Sequence, residues 1–99
     1  MRVLLKVVKI EDFNYMLLDS KQNIINLKLE FYDCNIQIED ILIIDEKLLN
    51  NIKNSLTAFG KIDDVAGKNI SNINNNDVLS EIIEVERNND KIYLKRLYG

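Results

Sequence analysis

The chain offers few residues able to carry out covalent chemistry. It has no histidine and a single cysteine, Cys34. A Ser–His or Cys–His nucleophile therefore has no base, and a zinc ion finds neither imidazoles nor enough thiolates. One thiol forms no internal disulfide and suits a reducing compartment. Paired carboxylates stand at Glu39-Asp40, Asp45-Glu46 and Asp63-Asp64. Such pairs serve acid–base work only where burial or mutual repulsion splits their proton affinities. In turn-like sequence they read as caps and solvated loop residues. Gly60, Gly67 and Lys68 sketch a phosphate loop, but six residues separate the glycines where the phosphate cradle needs four. Asn69 also stands where a magnesium-binding Ser or Thr belongs. The expectation is a non-enzymatic protein without cofactor or metal.

Two surfaces are candidates for binding. In Lys91-Ile92-Tyr93-Leu94-Lys95-Arg96-Leu97-Tyr98, aromatic rings alternate with cations. Rings stack on bases while cations meet phosphates, as a single-stranded nucleic-acid surface requires. Lys91, Tyr93 and Lys95 share one strand face, Arg96 lies on the other, and Lys6 and Lys9 of the N-terminal segment are possible neighbours. The second candidate is acidic: Glu30, Asp33, Glu39, Asp40, Asp45 and Glu46 form a surface suited to a basic protein partner, or a solvated rim.

The elements that must position these residues are mostly strands. Residues 2–10 alternate as a strand with Val3, Leu5 and Val7 on one face and Leu4, Val8 and Ile10 on the other. Two apolar faces predict a central strand. A turn at Glu11 to Asn14, a strand from Tyr15 to Leu18, a polar turn at 19–23 and a strand from Ile24 to Leu29 complete an antiparallel meander, its connections too short for crossover helices. After an acidic connection at 30–35, Ile41 to Ile44 read as a buried strand. Leu48, Leu49 and Ile52 then fall at helical spacing, so one short helix is expected near 45–54, capped by Asp45. Ser55 to Phe59 predicts a strand closed by Gly60, and residues 60–77 a long Asn-rich loop.

The C-terminal hairpin, 81–98, can be placed in register from charge alone. A two-residue loop at Asn88-Asn89 pairs Arg87 with Asp90, Glu86 with Lys91, Val85 with Ile92, Glu84 with Tyr93, Ile83 with Leu94, Ile82 with Lys95 and Glu81 with Arg96. Lengthening the loop by one residue sets Arg87 against Lys91. Each cross-strand pair contributes about 0.2–1 kcal/mol, and Asn tolerates the positive φ of a type I′ turn. The shorter loop is favoured. It also sets Glu84 and Glu86 across from the cations of the basic strip, which neutralises much of it.

Composition bounds the rest. Ninety-nine residues, 46% apolar and 29% charged, make one globular domain spanning 1–99. Fifteen Ile and fourteen Asn, both with A/T-rich codons, suggest an AT-rich bacterial genome. The net charge of −3 argues against nucleic-acid binding through bulk charge. Lys6 and Lys9 interrupt the first apolar run, which is unlike a secretory signal, and no run approaches the length of a membrane span; a cytoplasmic location is expected.

The order of elements, with Val3-to-Ile10, Tyr15-to-Leu18 and Ile24-to-Leu29 followed by Ile36-x-Ile38-x-Asp40-Ile41-x-Ile43, resembles a small OB-type barrel over the first half of the chain. The glycines customary at barrel corners are absent, and an SH3-like barrel or an open sheet packed by one helix fits the same order. The expected fold is thus mainly β: a small antiparallel barrel with one short helix and a C-terminal hairpin. The resemblance implies a binding module. The expected function is a binding or adaptor domain acting through a protein partner or self-association. The alternatives are a single-strand nucleic-acid binder and an accessory subunit of an enzyme.

Overall fold

The computed structural model describes residues 1–62 and 81–97. Seven strands and one helix occur among them: β1 (Arg2–Glu11), β2 (Asn14–Leu18), β3 (Ile24–Phe31), β4 (Ile41–Asp45), α1 (Glu46–Ile52), β5 (Thr57–Lys61), β6 (Ile82–Arg87) and β7 (Asp90–Arg96). The strands hydrogen-bond in the order β1-β2-β3-β5-β7-β6-β4, and β4 returns to β1, so the sheet closes into a ring. The Asn-rich tract, the Asp63-Asp64 pair, Gly67, Lys68 and Tyr98 lie outside the described residues.

The meander forms as the sequence predicts. β1 pairs antiparallel with β2, and β2 with β3. The first connection is the two residues Asp12-Phe13, with Asp12 at φ 53°. In the second, the Asp19 carboxylate accepts from the backbone N–H of Lys21 at 2.8 Å and of Asn23 at 2.9 Å. These donations hold the Asp19 carboxyl below the usual carboxylate range. One pairing departs from the expected antiparallel sheet. Leu29 to Phe31 of β3 run parallel to Thr57 to Phe59 of β5, because the chain runs through β4, on the far side of β1, and α1 before it returns beside β3. That crossover supplies the long connection a parallel pair requires.

The interior is built from alternate residues of every strand. Leu5, Val7, Leu17, Leu29, Leu42, Ile44, Phe59, Ile83, Val85 and Leu94 are wholly buried. Helix α1 is short, with Asp45 at its N-cap accepting from Lys47 N–H at 3.0 Å, and it lays Leu48, Leu49 and Ile52 onto the same core. Gly60 does not close β5 but sits inside it, against the side chain of Leu97.

β1 corrects one inference. Its two apolar faces mark it as flanked on both sides, which holds, but they are not both buried. The register shifts between Val7 and Lys9, so Val3 and Ile10, separated by an odd step, both pack on the core. Leu4 is left on the outer face, 52% exposed.

The hairpin has the register that charge complementarity specifies, from Arg87 opposite Asp90 to Ile82 opposite Lys95. Arg96 N–H donates to Glu81 C=O at 2.9 Å and extends it by one step. Asn88 and Asn89 have φ of 49° and 72°, the left-handed pair of a type I′ turn. Among the described residues no helix is long and apolar enough to cross a membrane.

Candidate interaction surface

Cross-strand registers place the outward side chains in rows. One row runs Leu4, Ile43, Glu84, Tyr93 across β1, β4, β6 and β7. The next runs Ile24, Leu18, Lys6, Ile41, Glu86, Lys91, starting from β3 and β2. The ring thus brings Lys6 and Lys91 onto one face but sets Ile41 and Glu86 between them. Strands lie about 4.8 Å apart, so the two cations are separated by roughly three strand spacings.

The cations of the basic strip are largely engaged. Lys6 Nζ lies 2.8 Å from Glu39 Oε2, and Lys9 Nζ lies 2.9 Å from Glu11 Oε1. Tyr93 stands opposite Glu84 across the hairpin. Burial first, and then Glu84, raise the Tyr93 pKa. Lys95 stays exposed on the outer face, whereas Arg96 is half-buried on the opposite parity of β7 and has a partner. Lys6 and Lys9 thus each stand beside an exposed carboxylate, while Lys91 and Lys95 remain exposed on β7.

The acidic residues do not assemble either. Glu30 is the penultimate residue of β3 and Asp33 lies in the exposed connection after it. Glu39 is spent on Lys6, and Asp45 caps α1 beside Glu46. Asp40 leaves the surface altogether: it is 2% exposed. Arg87 Nε donates to Asp40 Oδ1 at 2.8 Å and Arg87 Nη2 to Oδ2 at 2.6 Å, a two-pronged pair. Gln37 N–H donates to Asp40 Oδ2 at 2.8 Å, and Arg87 Nη2 also reaches the Asn35 carbonyl at 2.6 Å. Burial by itself raises the Asp40 pKa, but the Arg87 and Gln37 donors and the Arg87 charge outweigh it, so the carboxyl is held below its usual range. The pair ties the 32–40 connection to the hairpin. Sequence reasoning matched Arg87 to its neighbour Asp90, which is its backbone partner, and missed the ionic partner 47 residues away.

Cys34 is half-buried beside this pair. Burial pushes its thiol up and Asp40 adds to that, while Arg87 and Lys61 offset part. A thiol shifted this way is a poor nucleophile. No group of three or more acids and cysteines placed to hold a metal occurs among the described residues.

The outer faces of β1, β2 and β4 are different in kind. Leu4, Val8, Leu18 and Ile41 line a groove of about 310 Å³, together with Lys6 and with Asp19, Ser20 and Gln22 of the β2–β3 turn. Ile24 continues the apolar surface at 60% exposure, and Leu4 is 52% exposed. Contiguous exposed apolar surface rimmed by polar groups marks contact sites rather than ordinary surface. The signal is present in the sequence as the second apolar face of β1, which predicts a central strand and does not say that the face is bare. Compared with models of protein families, with curated proteins and with solved structures, the chain matches none of them.

Proposed function

We propose that the chain is a non-enzymatic binding domain on a small barrel scaffold, OB-like or SH3-like in kind, that takes a protein partner in the cytoplasm. The observation that carries this reading is the outer groove between the β2–β3 turn and β4. A volume near 310 Å³ is at the lower end for a small-molecule site and has few convergent polar groups. It suits one or two apolar anchor side chains of a partner, the kind of residue that dominates protein interfaces. The Lys6–Glu39 pair and Asp19 at the margins offer a polar rim around that anchor.

The test is Leu4→Glu. Its side chain points outward and is half exposed, so the variant should unfold within about 0.5 kcal/mol of the parent. Proteins retained by the immobilised parent and lost from the variant, once purified, should bind the variant at least about tenfold more weakly by calorimetry. Equal affinity for both forms would sink the groove as the docking site. Tight binding of a labelled DNA or RNA single strand, weakening steeply as salt rises, would replace it with the nucleic-acid reading.

A further inference from the structure

β3 is paired unequally along its two edges. Residues Ile24 to Lys28 face β2 on one side, while β5 covers the other side only from Leu29 to Phe31. Backbone parity shows which groups are left over. Leu29 N–H donates to Phe13 C=O, so odd residues of β3 turn their backbone toward β2. Even residues turn it the other way, as Tyr32 N–H does in donating to Phe59 C=O. The N–H and C=O groups of Ile24, Asn26 and Lys28 therefore project from an open edge with no backbone partner among the described residues. The side chains of all three are exposed.

We infer that this edge pairs with the same edge of a second copy, joining two rings through antiparallel β3 strands. The sequence is self-complementary in one register. Centred on Asn26, it sets Asn26 against Asn26 of the second copy and Ile24 against Lys28 in both directions. Each of these even–even pairs exchanges two backbone hydrogen bonds, and no like charges stand opposite each other. Ile24, 60% exposed, meets the aliphatic stem of Lys28. The two lysines lie four residues apart along the paired strands, about 13 Å, beyond the screening length of about 8 Å at physiological salt. A short edge bearing a lysine is ordinarily protected from promiscuous pairing. Here the single lysine per edge excludes a parallel in-register partner, which would stack Lys28 on Lys28, and leaves the antiparallel two-fold pairing.

Sedimentation of the parent chain between about 10 µM and 1 mM should show a reversible monomer–dimer equilibrium, and hydrogen exchange at the Ile24, Asn26 and Lys28 amides should slow as dimer forms. Asn26→Pro deletes an N–H that the β2 ladder does not use, and Pro is tolerated at such edge positions. It should weaken dimerisation at least about tenfold. Asn26→Asp leaves the backbone intact and sets two carboxylates face to face at the two-fold. It should weaken the dimer at neutral pH and restore it as pH falls below about 4. A chain that stays monomeric throughout, or a dimer indifferent to both substitutions, overturns the inference. A dimer abolished by Leu4→Glu but kept by both Asn26 variants overturns it too, and assigns self-association to the groove.

Discussion

Arg87→Ala should cost about 3 kcal/mol in chemical denaturation, the lower end of the range for breaking a buried ion pair from one side. The reason is asymmetric. Asp40 is 2% exposed and loses both prongs of its partner, while the Arg87 side chain is 30% exposed and lets water approach the gap. The Asn35 carbonyl loses a donor in the same step. In a domain whose whole stability is of order 5–15 kcal/mol, that loss is large. Asp40→Asn should cost less, because the amide still fills the space and still accepts from Gln37 N–H. The double variant should be milder than the sum of the two, since neither charge is then left alone. The acid limb supplies a second check. The folded Asp40 carboxyl sits below its unfolded value, so its contribution is full above about pH 4 and fades as pH falls through the folded pKa. The stability gap between the parent and Asp40→Asn should hold from pH 8 down to about 5 and narrow only below about 4. Asp19, also depressed, is common to both proteins and cancels. A gap that is flat with pH, or Arg87→Ala within 1 kcal/mol of the parent, would show the pair to be ornamental.

What the sequence specifies and what it leaves open divide along the range of the interactions. The hairpin was legible to the residue because its determinants are adjacent: the charges of Glu84, Glu86, Arg87, Asp90 and Lys91 and the turn asparagines fix register together. The meander and α1 follow from period and capping, which are equally local. The parallel pairing of β3 with β5 was not legible, since nothing in Leu29 to Phe31 says which later strand will lie alongside. Arg87 illustrates the same limit within one side chain. Its backbone partner is three residues on, and its ionic partner precedes β4, which only the pairing of β4 with β6 brings alongside. The outward groove failed for another reason. Apolar alternation on both faces of β1 is the pattern of a strand buried on both sides, and a closed ring buries only one. The composition of the face could be read, but not that it is bare.

The parallel seam also sets the second large effect. Phe59→Ala should cost about 3–5 kcal/mol, the range for emptying a fully buried aromatic site. Phe59 is wholly buried. Its ring lies 6.0 Å from that of Phe31, which in turn meets Tyr15 edge-on at 5.4 Å and 87°. The three rings bridge β2, β3 and β5, and the seam they span is short, with three residue pairs between β3 and β5. Deleting the ring therefore removes core volume and an aromatic contact across a short closure of the ring. The loss should not spread evenly. Tyr32 N–H, which donates to Phe59 C=O at 3.1 Å, should exchange faster relative to the β1–β2 ladder, because local opening at the seam becomes easier than global unfolding. Phe59→Leu keeps most of the volume and should cost about 1.5 kcal/mol or less, with the Tyr32 amide closer to its parent protection. Equal losses for the Ala and Leu variants, or a Tyr32 amide that slows and speeds only with the whole domain, would mean that the seam closes through its backbone alone.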